Sequence, residues 1–223
     1  YRSANPSTAA DLLLADTFVR ADRPELAMEV LMHSSDSKSD ARLLLRLVIL
    51  EAKSGDRKKA EGQLANWLKS NPNDIAARSQ YATFLMQDGD KKSAVAQFEM
   101  VLRQDANNIP ALNNLGWLLQ KEDPKRALSL LTLAYKLGPD LPDIVDSLGW
   151  IKLQLNDPKA ALPLLTRAHA LRPKDGELTY HLIVALDANG NRNAAKSMLK
   201  TLLASGVKFD DLAKAQALAA SWH

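Results

Sequence analysis

Two hundred and twenty-three residues, 46% hydrophobic and 25% charged, give an ordinary globular composition and exclude wholesale disorder. Twenty-nine Lys and Arg face 26 Asp and Glu, 15 against 15 through Asn108 and 14 against 11 beyond it, so neither half carries the basic field of a sequence-independent nucleic-acid binder. With no cysteine there is no disulfide, thiolate zinc site or cysteine nucleophile, and Arg46 interrupts the longest apolar run, Leu43–Leu50, far short of the roughly 20 residues that span a bilayer.

In chain order the sequence is a succession of helical patterns about 33 or 34 residues apart. An alanine opens the second apolar stretch of each unit at Ala27, Ala60, Ala94, Ala127, Ala161 and Ala195. A large apolar residue follows each by one helical turn: Leu31, Leu64, Phe98, Leu131, Leu165 and Leu199. The units run at about 8–40, 41–74, 75–108, 109–141, 142–175 and 176–209. In the first, the polar stretch Ser34–Ser39 is a loop. Two devices separate the paired helices: Gly55, Gly89 and Gly190 end a helix in the left-handed conformation, while Asp123-Pro124 and Asp157-Pro158 supply an N-cap and a first-turn proline. Gly116, Gly149, Ala82 and the opening alanines allow close helix approach. Trp67, on a second helix, is read as packing. After Gly206, Asp210–Trp222 forms a last helix with Asp210 at its N-cap and a covering stripe of Leu212, Ala215, Ala219 and Trp222. Repeat signal begins within a few residues of Tyr1, so more repeats are expected before it, the array being the C-terminal part of a longer protein.

The recurrence of Leu112-Asn113-Asn114-Leu115-Gly116-Trp117 as Val145-Asp146-Ser147-Leu148-Gly149-Trp150, with the alanine ladder, resembles the tetratricopeptide repeat family over almost the whole chain. The resemblance implies an all-α fold: a single array over 1–223, a right-handed superhelical solenoid of about six helix pairs, closed by a capping helix at about 210–222. It further implies a non-catalytic scaffold whose first helices line a concave groove for a protein or peptide segment. The family frame puts Arg42, Arg46 and Ala52, then Ser79, Gln80, Thr83 and Met86, on that groove. Asn113, Asn114, Trp117 and Gln120 follow, then Asp143, Asp146, Ser147, Trp150 and Leu153, and finally Glu177, Tyr180, His181 and Asp187. The groove residues of greatest interest are Gln80, Asn113, Asn114, Trp117, Gln120, Asp143, Asp146, Ser147, Trp150, Tyr180 and His181. Flat aromatic faces beside planar polar groups suit an extended peptide or a sugar ring. Trp117 and Trp150, each after a glycine, have two readings: ligand contact or filling between successive helices.

The runs Ile109–Trp117 and Pro142–Trp150, the Leu178–Leu186 stretch with Tyr180-His181-Leu182, and Leu202-Leu203-Ala204-Ser205-Gly206 make residues 105–218 similar to the repeat lipoproteins that accompany bacterial exosortase and exopolysaccharide export systems. The implied setting is envelope polysaccharide assembly, with direct polysaccharide binding as the alternative function and a cytoplasmic location as the alternative to the envelope. A chaperone-tail clamp does not fit, because Asp143 and Asp146 stand where cations would be required. For catalysis the sequence offers little. His33, His169, His181 and His223 have no zinc-motif spacing, and no nucleophile elbow or phosphate loop occurs. His33 and His169 are read as surface or edge residues, and Arg57-Lys58-Lys59 and Lys91-Lys92 as solvated faces. No enzyme activity, cofactor or metal is expected.

Overall fold

The computed structural model describes residues 6–222, and among these there are thirteen helices and no strand. His223 lies outside the described residues. The helices gather into two compact units, one ending at Ala106 and the other beginning at Asn107. The sequence reading drew a single array across this point, which is the junction of its third and fourth repeats.

The first unit holds α1 (Pro6–Arg20), α2 (Pro24–His33), α3 (Ala41–Lys53), α4 (Arg57–Ser70), α5 (Ile75–Gln87) and α6 (Lys91–Gln104). Each pair is joined by three residues, a connection so short that the partners must run antiparallel. Residues 34–40 are non-helical, as the polar Ser34–Ser39 stretch predicts, and Asp36 there accepts a 2.6 Å hydrogen bond from the buried Thr8 hydroxyl. Ala27, Leu31, Ala60, Leu64, Ala94 and Phe98 are all within 1% of complete burial. The lysine-rich start of α4 is a paired surface: Arg57 and Lys58 reach Asp88 of the next repeat, and Lys59 reaches Glu51 at 2.7 Å.

The second unit holds α7 (Ile109–Leu119), α8 (Pro124–Leu137), α9 (Pro142–Gln154), α10 (Pro158–Leu171), α11 (Gly176–Ala188), α12 (Arg192–Ala204) and α13 (Leu212–Ser221). Its ladder of Ala127, Leu131, Ala161, Leu165, Ala195 and Leu199 is buried just as in the first unit. Gly149 shows why α9 and α10 pair so closely: a Cβ there would stand 2.7 Å from Leu165 Cγ, closer than packed carbons approach. Gly116 meets Leu131 in the same way one repeat earlier.

Caps fall where side-chain chemistry requires them. Asp123 and Asp157 accept the amide hydrogens of Arg126 and Ala160, and Asp40, Asp74, Asn108 and Asp175 cap the first helices of their repeats. Gly55, Gly89 and Gly190 are left-handed as expected, but so are Asp22 and Asn156 at the matching places of the first and fifth repeats. One expectation fails at the end. The N-cap of α13 is Asp211 rather than Asp210, and it makes no side-chain cap bond because its carboxylate pairs with Lys214 at 2.6 Å. Ala215, Ala219 and Trp222 do pack on the last repeat, with Leu218 in the place foreseen for Leu212.

Candidate functional site

The first helices of three consecutive repeats, α7, α9 and α11, wall a pocket of about 670 Å3 in the second unit. Helical periodicity brings Asn113, Asn114 and Trp117 to it from α7 and Asp143, Asp146 and Ser147 from α9; α11 adds Glu177 and His181. Seven of the eleven groove residues singled out from sequence therefore meet in one place. Leu141, Arg172, Asp175 and Asp210 reach in from the connections between helices. None of these was foreseen as a pocket residue, because no helical register governs loop residues; Asp175 and Asp210, each just before an apolar helix, carried a signal as N-caps alone.

The four remaining predicted residues lie elsewhere. Gln80 belongs to α5 in the first unit and is half-buried there. Gln120 accepts a 2.8 Å hydrogen bond from the Gln154 carboxamide, so these two side chains tie successive repeats together. Trp150 stands behind the pocket: its ring stacks on His181 with centroids 3.9 Å apart and planes 21° from parallel. Tyr180 is a correction. It occupies the same repeat place as Asn113 and Asp146, but the chain after α12 folds over it. It is buried with Ile183, Leu199 and Ala215, with the Phe209 ring 6.1 Å away. At this place the final repeat is covered by the returning chain, whereas Asn113 and Asp146 line the pocket.

Beneath the pocket lies a buried ionic cluster. His181 is 1% exposed, and its Nδ1 sits 2.9 and 2.8 Å from the two carboxylate oxygens of Asp146, 35 residues earlier. Its Nε2 is 3.4 Å from Glu177 Oε1, an ion-pair distance without hydrogen-bond geometry. Burial pulls the imidazole pKa down, but the hydrogen bond to Asp146 and the approach of Glu177 outweigh it and raise it to about 9. Burial likewise pushes the Asp146 carboxyl up, against the pull of His181. Glu177 goes the other way: burial raises it, and its contacts with His181 and the Asp211 amide hold it below the usual range. The imidazole is thus held between two carboxyl groups and titrates with them as one coupled group.

Around the cluster, polar atoms are left over. Asn113 Oδ1 and Arg172 Nε are buried without a hydrogen-bond partner in the protein, although Arg172 also bonds Asp143 through a terminal nitrogen and approaches Asp175 at 3.7 Å. An unmet acceptor and an unmet donor thus belong to residues that line one pocket with the half-buried Trp117 ring. Such groups are costly to bury unless something completes them. Elsewhere, Trp67 is packing as expected, and its indole N–H also donates to Asp74 Oδ2 at 2.8 Å. His33 is exposed and His169 sits at an edge beside the Thr179 hydroxyl.

Residues 152–221 match the family model described as tetratricopeptide repeat. These residues run from the end of α9 through α13 and include α11, one wall of the pocket. The chain is 30% identical over 151 residues to TPR repeat-containing protein PA4667 of Pseudomonas aeruginosa, a match covering 66% of this chain and 26% of that protein. The findings support the tetratricopeptide repeat family. Among solved structures, a tetratricopeptide repeat protein of Parabacteroides merdae superposes with a TM-score of 0.69 at 13% identity, covering 92% of this chain and 82% of that one. The Thermus thermophilus tetratricopeptide repeat protein TTC0263 gives 0.64 at 20% identity, covering 81% and 97%. Identities this low speak for the fold alone. The chain spans about a quarter of the length of the curated relative it matches.

Proposed function

We propose that this tetratricopeptide repeat protein is a non-catalytic interaction scaffold whose second-unit pocket receives an extended polypeptide segment, and that it serves polysaccharide assembly in the bacterial envelope. The observation that carries the polypeptide reading is that an unmet acceptor, Asn113 Oδ1, and an unmet donor, Arg172 Nε, belong to residues lining the same pocket as Trp117. A peptide backbone presents both a donor and an acceptor at every residue, and a side chain between them can lie on the indole. The tetratricopeptide fold supports a scaffold in general terms. The envelope setting rests on the resemblance of residues 105–218 to export-system lipoproteins.

A second reading, direct polysaccharide binding, is favoured by the same indole lying beside the carboxamides of Asn113 and Asn114, since a sugar ring stacks on an aromatic face while its hydroxyls bond amides. Capture from envelope extracts, run beside a panel of secreted glycans, separates the two. Trp117→Ala is the decisive variant. It should weaken capture of a protein partner at least about ten-fold, as loss of an aromatic anchor does, while the melting temperature moves little. Trp150→Ala should instead lower stability, because it uncovers the buried His181 ring. Retention by glycan with no protein recovered would establish the second reading. Partner capture insensitive to Trp117→Ala would remove the pocket from the function.

A further inference from the structure

Glu177 and His181 are one helical turn apart on α11, and Asp211 stands at the start of α13, 30 residues later in the chain. One potential ligand atom from each lies within 4.8 Å of the others. We propose that Glu177, His181 and Asp211 form a binding site for a divalent transition-metal ion of the zinc type, bridging α11 to α13. Sequence spacing alone could not reveal it, since the third ligand is supplied by the returning chain.

Three features argue for a metal over a bare acidic cluster. His181 is 1% exposed, and its Nε2, facing the two carboxylates, has no hydrogen-bond partner. Its other nitrogen is held at 2.8 Å by Asp146, the outer carboxylate that fixes the tautomer and ring orientation of metal-bound histidines. The Trp150 stack locks the ring plane in addition. The spacing also fits. His181 Nε2 and Glu177 Oε1 are 3.4 Å apart, close to the ~3.3 Å between ligands of a tetrahedral ion with bonds near 2.0–2.1 Å. Glu177 uses Oε2 to accept the Asp211 N–H at 3.2 Å, which leaves Oε1 for the ion and already ties the two segments together. Asp211 must release Lys214, a side chain 67% exposed that can turn to water.

Binding displaces the proton that the carboxylates hold on the imidazole, and the same carboxylate field attracts the divalent cation. A nitrogen with two carboxylates selects zinc-type ions over calcium and magnesium, which take oxygen ligands and more of them. The site lies at the margin of the proposed peptide pocket but requires no partner.

The experiment is calorimetric titration of the tag-free, metal-stripped full chain with Zn2+ and, separately, Ca2+, followed by amide hydrogen exchange. One Zn2+ per chain should bind, about 100-fold or more tighter than Ca2+, and α13 should gain protection on binding. Glu177→Gln and Asp211→Asn should each weaken Zn2+ at least about ten-fold. Asp211 is partly exposed, so the second variant reads the site even if the first disturbs α11. The proposal is overturned by no saturable uptake, by uptake that ignores both variants, by equal affinity for Ca2+, or by protection that leaves α13 unchanged.

Discussion

The two units bury charged groups in different ways. In the first, Glu51 on α3 is 1% exposed and is met by α4 of the same repeat, accepting from the Gln63 carboxamide at 3.0 and 2.9 Å and from Lys59 at 2.7 Å. Arg78 on α5 donates through its terminal nitrogens to Gln97 of α6 and to the Pro72 carbonyl, both at 2.5 Å, while its buried Nε has no partner. Each cluster fastens the two helices of one pair. In the second unit, Asp146 and His181 join the first helices of two successive repeats, and the residues around them open on a pocket. A buried polar group shared within a pair is structural glue. One shared between first helices lines the pocket, where Asn113 Oδ1, Arg172 Nε and His181 Nε2 lack partners.

Arg78→Ala tests the structural half of this contrast and should have the largest effect. It strips donors from the Pro72 carbonyl and Gln97 and leaves space beside Met100. The expected loss is about 2–3 kcal/mol by urea denaturation, with Arg78→Met recovering part of it by refilling the volume. If Arg78→Ala were neutral, buried charge in the first unit could not be called glue.

The His181 cluster should show itself in pH dependence, measured with chelator present. A histidine whose folded pKa is raised contributes stability that is full below its unfolded value near 6.5 and is lost as pH climbs through about 9. Between pH 7 and 9 that contribution falls by about 2 kcal/mol. Glu177, held below the usual carboxylate range, is ionised throughout this window, while Asp146 is raised by burial and bonded to the imidazole, so the slope belongs to the coupled pair. Urea midpoints at pH 7, 8 and 9 should decline in the native protein and stay nearly flat in His181→Asn. Equal slopes in both would mean that the imidazolium contributes nothing.

A smaller effect concerns Trp67, whose N–H meets the same Asp74 carboxylate that caps α5. Trp67→Phe keeps most of the apolar contact and loses that donor, for about 1 kcal/mol in thermal or chemical unfolding. A loss above about 3 kcal/mol would show that the ring's volume, not its hydrogen bond, holds the junction.

The alanine ladder made the helix pairs legible, because a residue that must be small at a helix crossing recurs with the period of the repeat. The pocket was legible as far as helical register reaches: Asn113, Asp146 and their neighbours share repeat places, and their placement on one wall follows from that. Tyr180 shows where the logic stops. In the two repeats before it the residue at this place lines the pocket, but here the following segment is Phe209 and α13, which fold over the ring. Arg172 was not foreseen in the pocket, and Asp210 was read as a helix cap alone, because loop residues have no period. The Asp146–His181 bond joins the fifth place of one repeat to the sixth of the next, a pairing set by how first helices stack rather than by any motif.

Asp22 and Asn156 were missed for a subtler reason, and they give the finest comparison between the units. Both are left-handed, with φ of 57° and 61°, at the place where three other repeats carry glycine. The conformation costs an ordinary L-residue roughly 1–2 kcal/mol, less for Asp and Asn, whose short polar side chains bond locally. Glycine relieves that strain but adds about 0.5–1 kcal/mol of unfolded-chain entropy. The two nearly cancel, so Asn156→Gly should change stability by no more than about 0.5 kcal/mol. Asp22→Gly should do the same in the first unit. Asn156→Ala offers neither glycine's freedom nor a side-chain bond and should lose about 1 kcal/mol. Should Asn156→Ala prove neutral in chemical denaturation, the left-handed turn would be indifferent to its residue, and the recurrence of glycine at Gly55, Gly89 and Gly190 would need a different cause.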